Sequence, residues 1–409
     1  MYLTISKRFE FSASHRYYQP EWSPDQNAAV FGKAVGTEHG FGQNYTAHFV
    51  FHGQVDPRDG MVINVTEIKR HVNDLLERRF DHKYLNVDTP PFDTVRPTPE
   101  NLAAQLLQET KPLFAGGRAQ PVVCHLIETP DREATAYTDG TVEGHHYLNF
   151  SAARRTYSPG LSEQENLALF GIASAPSGHG HGYRLRVTVG GQVNPDTGMI
   201  VPDRDVRAVL RDLHELLDHR NLSTDVRDLE GAPLTTEYLA RYIWTKLSPA
   251  LPLRRVRLHE KPDFFAEYHG NGRFLMGIES SFNAAHRLHS PHLADDQNRL
   301  VFGKCNNPRG HGHRYRVEAT LLGELDERSG TLFPLDKFSE GLDEALQPWD
   351  YRHLDEDTDD FNDRPSTSEN IIRVLWPRVN ERVGGFLWRL RLWETPNNRF
   401  ALRFLDSGR

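Results

Sequence analysis

The chain has 409 residues, which at ~100–200 residues per domain implies two to four domains. Its 48 Lys and Arg stand against 56 Asp and Glu, and a formal net charge of −8 excludes a protein built to neutralise a nucleic-acid backbone. No run approaches the ~18 apolar residues of a membrane span, the opening MYLTISKRFEFSASH lacks the apolar core of a secretory leader, and two cysteines, Cys124 and Cys305, exclude a disulfide framework and point to a reducing cytoplasm.

The first predicted strand ends on Phe11-Ser-Ala-Ser-His15, and Phe31-Gly-Lys-Ala34 follows at a step of 19 residues from His15 to Ala34. Tyr45 to His52 alternates with period 2, as a half-buried strand does. A Pro- and Gly-punctuated turn ends at Gly60. Apolar residues at 65, 68, 72, 75 and 76 then write a helical stripe from Val65 to Phe80. Thr98, Pro99 and Glu100 introduce a second helix over Leu102 to Leu113. Late strands close on Glu128 in Leu126-Ile-Glu-Thr-Pro130. The order strand, strand, helix, helix, strand, strand reads as α+β.

The same text returns twice. Phe150-Ser-Ala-Ala-Arg154 and Phe282-Asn-Ala-Ala-His286 repeat the first phrase, and the 19-residue step recurs from Arg154 to Ala173 and from His286 to Cys305. Gly40 to Tyr45, Gly178 to Tyr183 and Gly310 to Tyr315 match. So do Asp81-His82, Asp218-His219 and Asp350-Tyr351, and the closing acids Glu128, Glu260 and Glu394. The period is too long for a solenoid unit. The boundaries fall at 1–138, 139–270 and 271–409, three tandem domains of ordinary size.

Chemistry concentrates in the third copy. His311 and His313 share one face of a predicted strand. His286 ends a neighbouring strand and offers a third nitrogen, which with an open fourth position suits catalytic zinc. Cys305 lies six residues before His311. It reads as a thiolate base, a further metal ligand or an inert buried thiol. Cys124, inside an apolar strand, reads as inert.

The run Phe302-Gly-Lys-Cys-Asn-Asn-Pro-Arg-Gly-His-Gly-His-Arg-Tyr315 resembles the 6-pyruvoyl-tetrahydropterin synthase family, which includes the 6-carboxytetrahydropterin synthases. The resemblance covers the whole chain in three copies and is strongest in the third. It implies three tunnelling-fold modules, each a four-stranded antiparallel sheet with two helices. They would close a pseudo-threefold twelve-stranded barrel within one chain, and two chains would stack as a homodimer. It implies Zn2+ on His286, His311 and His313, with Cys305 as general base. It implies an Asp-His pair for proton transfer and a late Glu gripping the pterin, the candidates being Glu394, Glu128 and Glu260. The substrate implied is 7,8-dihydroneopterin triphosphate. The product is expected to be 6-carboxytetrahydropterin, on the path to deazapurines such as queuosine, because a cytoplasmic tandem fusion fits a bacterial setting; 6-pyruvoyl-tetrahydropterin is the alternative.

The copies depart from the pattern in different places. The first has Phe41, Gln43 and Ala34 where the metal and thiol need His, His and Cys. The second has Arg154 and Ala173, and a guanidinium has no lone pair to give. The third has Tyr351 in place of the pair's His. Asp81 with His82, or Asp218 with His219, is therefore expected to complete the third copy's site from a neighbouring copy. A non-catalytic pterin-binding scaffold is the competing reading.

Overall fold

The computed structural model describes residues 1–404. Twelve long strands form one closed antiparallel barrel, four from each module. Module one gives Tyr2–His15, Phe41–Gly53, Ala119–Thr129 and Arg132–Tyr137. Module two gives Val142–Arg154, His179–Gly190, Leu253–Lys261 and Phe264–Tyr268. Module three gives Phe274–His286, His311–Gly323, Leu387–Thr395 and Asn398–Arg403.

The strands pair because they alternate. Phe9, Phe11, Tyr45, Ala47 and Phe49 are buried on one face, under the helices. The other face carries Arg8, Glu10, Thr46 and His48 and turns into the barrel. Two longer helices cover each module's sheet: Val65–Arg79 and Pro99–Thr110, Asp203–Leu217 and Thr236–Leu247, Leu335–Leu346 and Ser368–Arg382. The second helix of module one starts three residues earlier than its apolar stripe, because Thr98 caps the Asn101 amide and Pro99 fits the first turn. Short helices Pro24–Phe31, Glu163–Phe170 and Asp295–Phe302 were not legible in the sequence. Each is eight residues long and buries only an Asn and a Phe, or an Asn alone, so it writes no stripe.

Edge strands join the modules. Arg132–Tyr137 pairs with Val142–Arg154, Phe264–Tyr268 with Phe274–His286, and Asn398–Arg403 with Tyr2–His15. Among the described residues, no edge of the ring is left unpaired. A clamp repeats at each junction outside the sheet. The hydroxyls of Thr98, Thr235 and Thr367 donate to the carbonyls of Gly198, Gly330 and Gly60 in the next module. Gly60 holds φ +71°, and a Cβ there would meet Asn370 and Pro365 at 2.7 Å, so the close approach requires glycine.

Candidate metal centre and active site

In module three, His286 is the cross-strand partner of His311, and His313 lies two residues further along the same face. Their ring centres are 4.6, 5.4 and 4.9 Å apart. One nitrogen from each lies within 4.8 Å of the others. His286 Nδ1 donates to the Ser366 carbonyl at 3.0 Å, which fixes the tautomer and leaves Nε2 its lone pair. His286 Nε2, His311 Nδ1 and His313 Nε2 are buried without a hydrogen-bond partner. Burial holds all three imidazoles below their ordinary pKa, His286 at about 3. Three neutral, converging, unpartnered imidazoles fit a divalent cation.

One carboxyl flanks this cluster, and a second, Glu369, feels its charge. Glu394 lies 3.8 Å from His286 Nε2 and 4.0 Å from His313 Nε2. Burial raises its pKa, and His311 and the Ser368 hydroxyl oppose the rise. Glu369 was not singled out in the sequence. It is buried at the junction with module one, accepts from the Val62 amide at 3.0 Å, and is pushed up to about 8 by burial. Its counterparts are Glu100 and Glu237, both buried at the other two junctions. The signal was present in the repeated Thr98-Pro-Glu100, Thr235-Thr-Glu237 and Thr367-Ser-Glu369. Cys305 is half-buried in the turn after Asp295–Phe302, and burial followed by the nearby Glu394 raises its thiol. Cys124 is fully buried in a strand, as expected of an inert thiol.

The first two modules fill the same place with other groups. In module two, Arg154 takes the register of His286 opposite His179. Its guanidinium donates to Glu260, to the Thr236 hydroxyl and to the Leu234 carbonyl. His181 lies 3.0 Å from Glu260. His179, His181 and Glu260 converge as metal ligands would, but a fixed cation already pairs with the carboxylate. In module one the Phe41 ring stands 4.6 Å from His15, where His311 stands from His286. His15 is tied to Tyr45 at 2.8 Å and to Glu128 at 3.1 Å. Arg132 lies among Glu100, Glu128 and Asp203. It occupies with its own charge the region that in module three is left to Glu369 and Glu394.

Asp81, Asp218 and Asp350 each accept from a strand amide, of Ser12, Ser151 and Asn283, at 2.8 Å. His82 and His219 then pair with Asp81 and Asp218 at 2.9 and 2.6 Å. His82, His219 and Tyr351 share φ values of 55, 55 and 57°, a left-handed conformation rare for such residues. Their side chains project from the barrel rim at 83, 82 and 83% exposure. Among the described residues, no hydrogen bond or ion pair joins His82 or His219 to Cys305.

The family described as 6-pyruvoyl tetrahydropterin synthase matches residues 4–139, 146–271 and 276–403. The chain is similar to the 6-pyruvoyl tetrahydrobiopterin synthase of Homo sapiens, with 42% identity over 120 residues, 29% of this chain and 83% of that protein. It is similar to the protein of the same name from Drosophila melanogaster, with 39% identity over 126 residues, 30% of this chain and 75% of that one. Among solved structures, Caenorhabditis elegans 6-pyruvoyl tetrahydropterin synthase aligns at 37% identity over 32% of this chain and 96% of that chain, with a TM-score of 0.32.

Proposed function

The chain belongs to the 6-pyruvoyl tetrahydropterin synthase family three times over, and from this we propose that it is a lyase with one working site, in module three, acting on 7,8-dihydroneopterin triphosphate. One observation carries the reading. Among the described residues, the set of three converging, unpartnered imidazole nitrogens occurs together with an accessible thiol in module three alone.

Zinc bound by His286, His311 and His313 supplies Lewis acidity toward the hydroxyls of the substrate side chain. Cys305 removes a side-chain proton as its thiolate. Glu394 and Glu369 accept hydrogen bonds from the pterin's amino and ring N–H groups, a pairing that carboxylates serve well. The names of the relatives favour loss of inorganic triphosphate to 6-pyruvoyl-tetrahydropterin over side-chain cleavage to 6-carboxytetrahydropterin. Among the described residues no helix is long and apolar enough to cross a membrane, which suits a small-molecule enzyme of the cytoplasm.

The proton relay comes from the rim. His82 and His219 stand exposed on the rim, where a second chain stacked on this face would receive them. A homodimer of barrels, its rims in contact, brings an Asp-His pair to each Cys305. Tyr351 is the observation that favours a non-catalytic scaffold instead, since its phenol (ordinary pKa near ~10) cannot cycle a proton at neutral pH as His does. Incubation with dihydroneopterin triphosphate and identification of the products separates the readings. A 6-pyruvoyl product with free triphosphate supports the proposal, a 6-carboxy product moves it to the alternative, and no turnover by the metal-loaded protein supports the scaffold.

A further inference from the structure

The hairpin that carries Glu394 is held by another module. Asn398 stands opposite Thr395 across the tight turn, and Lys7, from the first strand of module one, stands opposite Asn398. The Arg8 amide donates to the Asn397 carbonyl at 2.9 Å and pins the same turn. Lys7 alternates with Phe9 and Phe11, so its side chain lies on the helix face of the sheet, outside the lumen. Its ammonium donates to Asn398 Oδ1 at 2.8 Å.

The three junctions fill this pair of positions differently. Between modules one and two the pair is Arg132 with His146. Between two and three it is Phe264 with Ile278, and between three and one it is Asn398 with Lys7. Arg132, Phe264 and Asn398 each follow the closing acid of their module by four residues. In module one that acid, Glu128, lies 3.8 Å from Arg132 itself. In module two Glu260 pairs with Arg154, and the junction pair is apolar. In module three, among the described residues, no Lys or Arg forms an ion pair with Glu394, whose nearest cationic partners are the imidazoles of His286 and His313. The Ser368 hydroxyl donates to Glu394 at 3.4 Å instead, and the Asn398 amide and the Lys7 charge act on it as well.

Lys7 is a cation without an acid of its own. It forms no ion pair among the described residues. Burial, and next Lys69, hold its pKa below the ordinary range, and Glu394 is the charge that opposes them. A direct lysine–carboxylate pair would cover the oxygens that a ligand needs. A cation placed one side chain back supports a buried carboxylate and leaves those oxygens open. We propose that Lys7 is a positioning residue, supplied by module one, that acts through Asn398 to hold the Glu394 carboxylate for the N–H groups of the pterin. The pterin pocket of module three is then completed across the ring closure. This rests on the reading of Glu394 as the pterin acceptor.

The test is fluorescence titration of neopterin, an oxidised pterin, into the zinc-loaded full chain. KM and kcat for dihydroneopterin triphosphate, bound zinc and melting temperature are measured on the same samples. Lys7→Met is expected to weaken neopterin binding by about tenfold or more, the size of a lost hydrogen bond to a charged group. KM should rise with it while kcat and bound zinc stay unchanged, because the ring is gripped alike before and during the reaction. Lys7→Arg should restore binding. Asn398→Ala should repeat the loss, and adding Lys7→Met to it should cost nothing more, since one path carries both. His146→Met, at the equivalent position of another junction, should leave binding as it is. If Lys7→Met does not fold, Asn398→Ala carries the comparison. Equal neopterin affinity in the parent, Lys7→Met and Asn398→Ala, with binding lost in Glu394→Gln, overturns the role of Lys7 alone. A lower melting point in Lys7→Met at unchanged affinity does the same, and marks the lysine as structural. Unchanged affinity in Glu394→Gln overturns the reading of Glu394, and the proposal with it.

Discussion

Arg154 donates to Glu260 from the strand position that His286 holds in module three. The guanidinium supplies, as part of the chain, the positive charge that a metal would bring. Arg154→His restores the third imidazole beside His179 and His181 and frees Glu260. That variant is expected to bind one more zinc per chain than the parent by elemental analysis. Unchanged metal content would mean that the pocket, not the guanidinium, excludes the ion.

Cys305→Ala is expected to lower kcat by ~10²-fold or more, the usual cost of losing an acid–base group. Bound zinc should be unchanged, because the three imidazoles carry it. Loss of metal in this variant would make Cys305 a ligand, the other reading left open by its sequence position.

One of His82→Ala and His219→Ala is expected to lower turnover by ~10²-fold or more, and Tyr351→Phe much less. If the imidazole reaches Cys305 from a second chain, activity per chain should also fall on dilution as dimers separate. Activity independent of concentration, with both His variants fully active, would contradict the rim-to-rim arrangement.

Burial holds Glu100 at about 7 against an unfolded value near 4.5, with Arg132 opposing the rise. A raised carboxyl pKa gives stability that is fully present below about 4.5 and is lost as pH climbs through about 7. Glu100→Gln, which cannot ionise, should therefore melt close to the parent at pH 5 and gain on it by pH 8. Melting curves at the two pH values check the sign. A deficit that grows with pH would show that the ionised Glu100 is held favourably by Arg132.

Gly60→Ala tests how the ring is clamped. A Cβ at φ +71° and 2.7 Å from two module-three atoms should cost about 1–3 kcal/mol. Gly116 also has a positive φ, +76°, in an exposed turn with nothing within 4 Å. Gly116→Ala should cost only the backbone share, about 1–2 kcal/mol. Equal losses in denaturant unfolding would mean that the junction yields without strain.

The repeats made the fold legible, because strand alternation, turn and helix recur three times in register. The histidine cluster was legible for a local reason: His-x-His on a strand fixes two nitrogens on one face, and the repeat placed His286 opposite. The departures Phe41, Gln43 and Arg154 were equally visible. What the sequence did not show depends on reach rather than spacing. Arg132 crosses from its own strand to Glu100 and to Asp203 of module two, and no local pattern announces that span. Glu369 looked like an ordinary first-turn acid of a helix, and only the junction buries it. The left-handed backbone at His82, His219 and Tyr351 turns these side chains onto the rim, whereas the alignment of copies suggested an approach to Cys305 inside one chain.

The central claim is that one module of three holds the metal, through His286, His311 and His313. The direct measurement is the zinc content of the purified 409-residue chain by elemental analysis, beside that of His313→Ala. The account predicts one zinc per chain in the parent and little in the variant, since a three-ligand site cannot spare a ligand. Two or three tightly held zinc ions in the parent, or a full complement in His313→Ala, would contradict it.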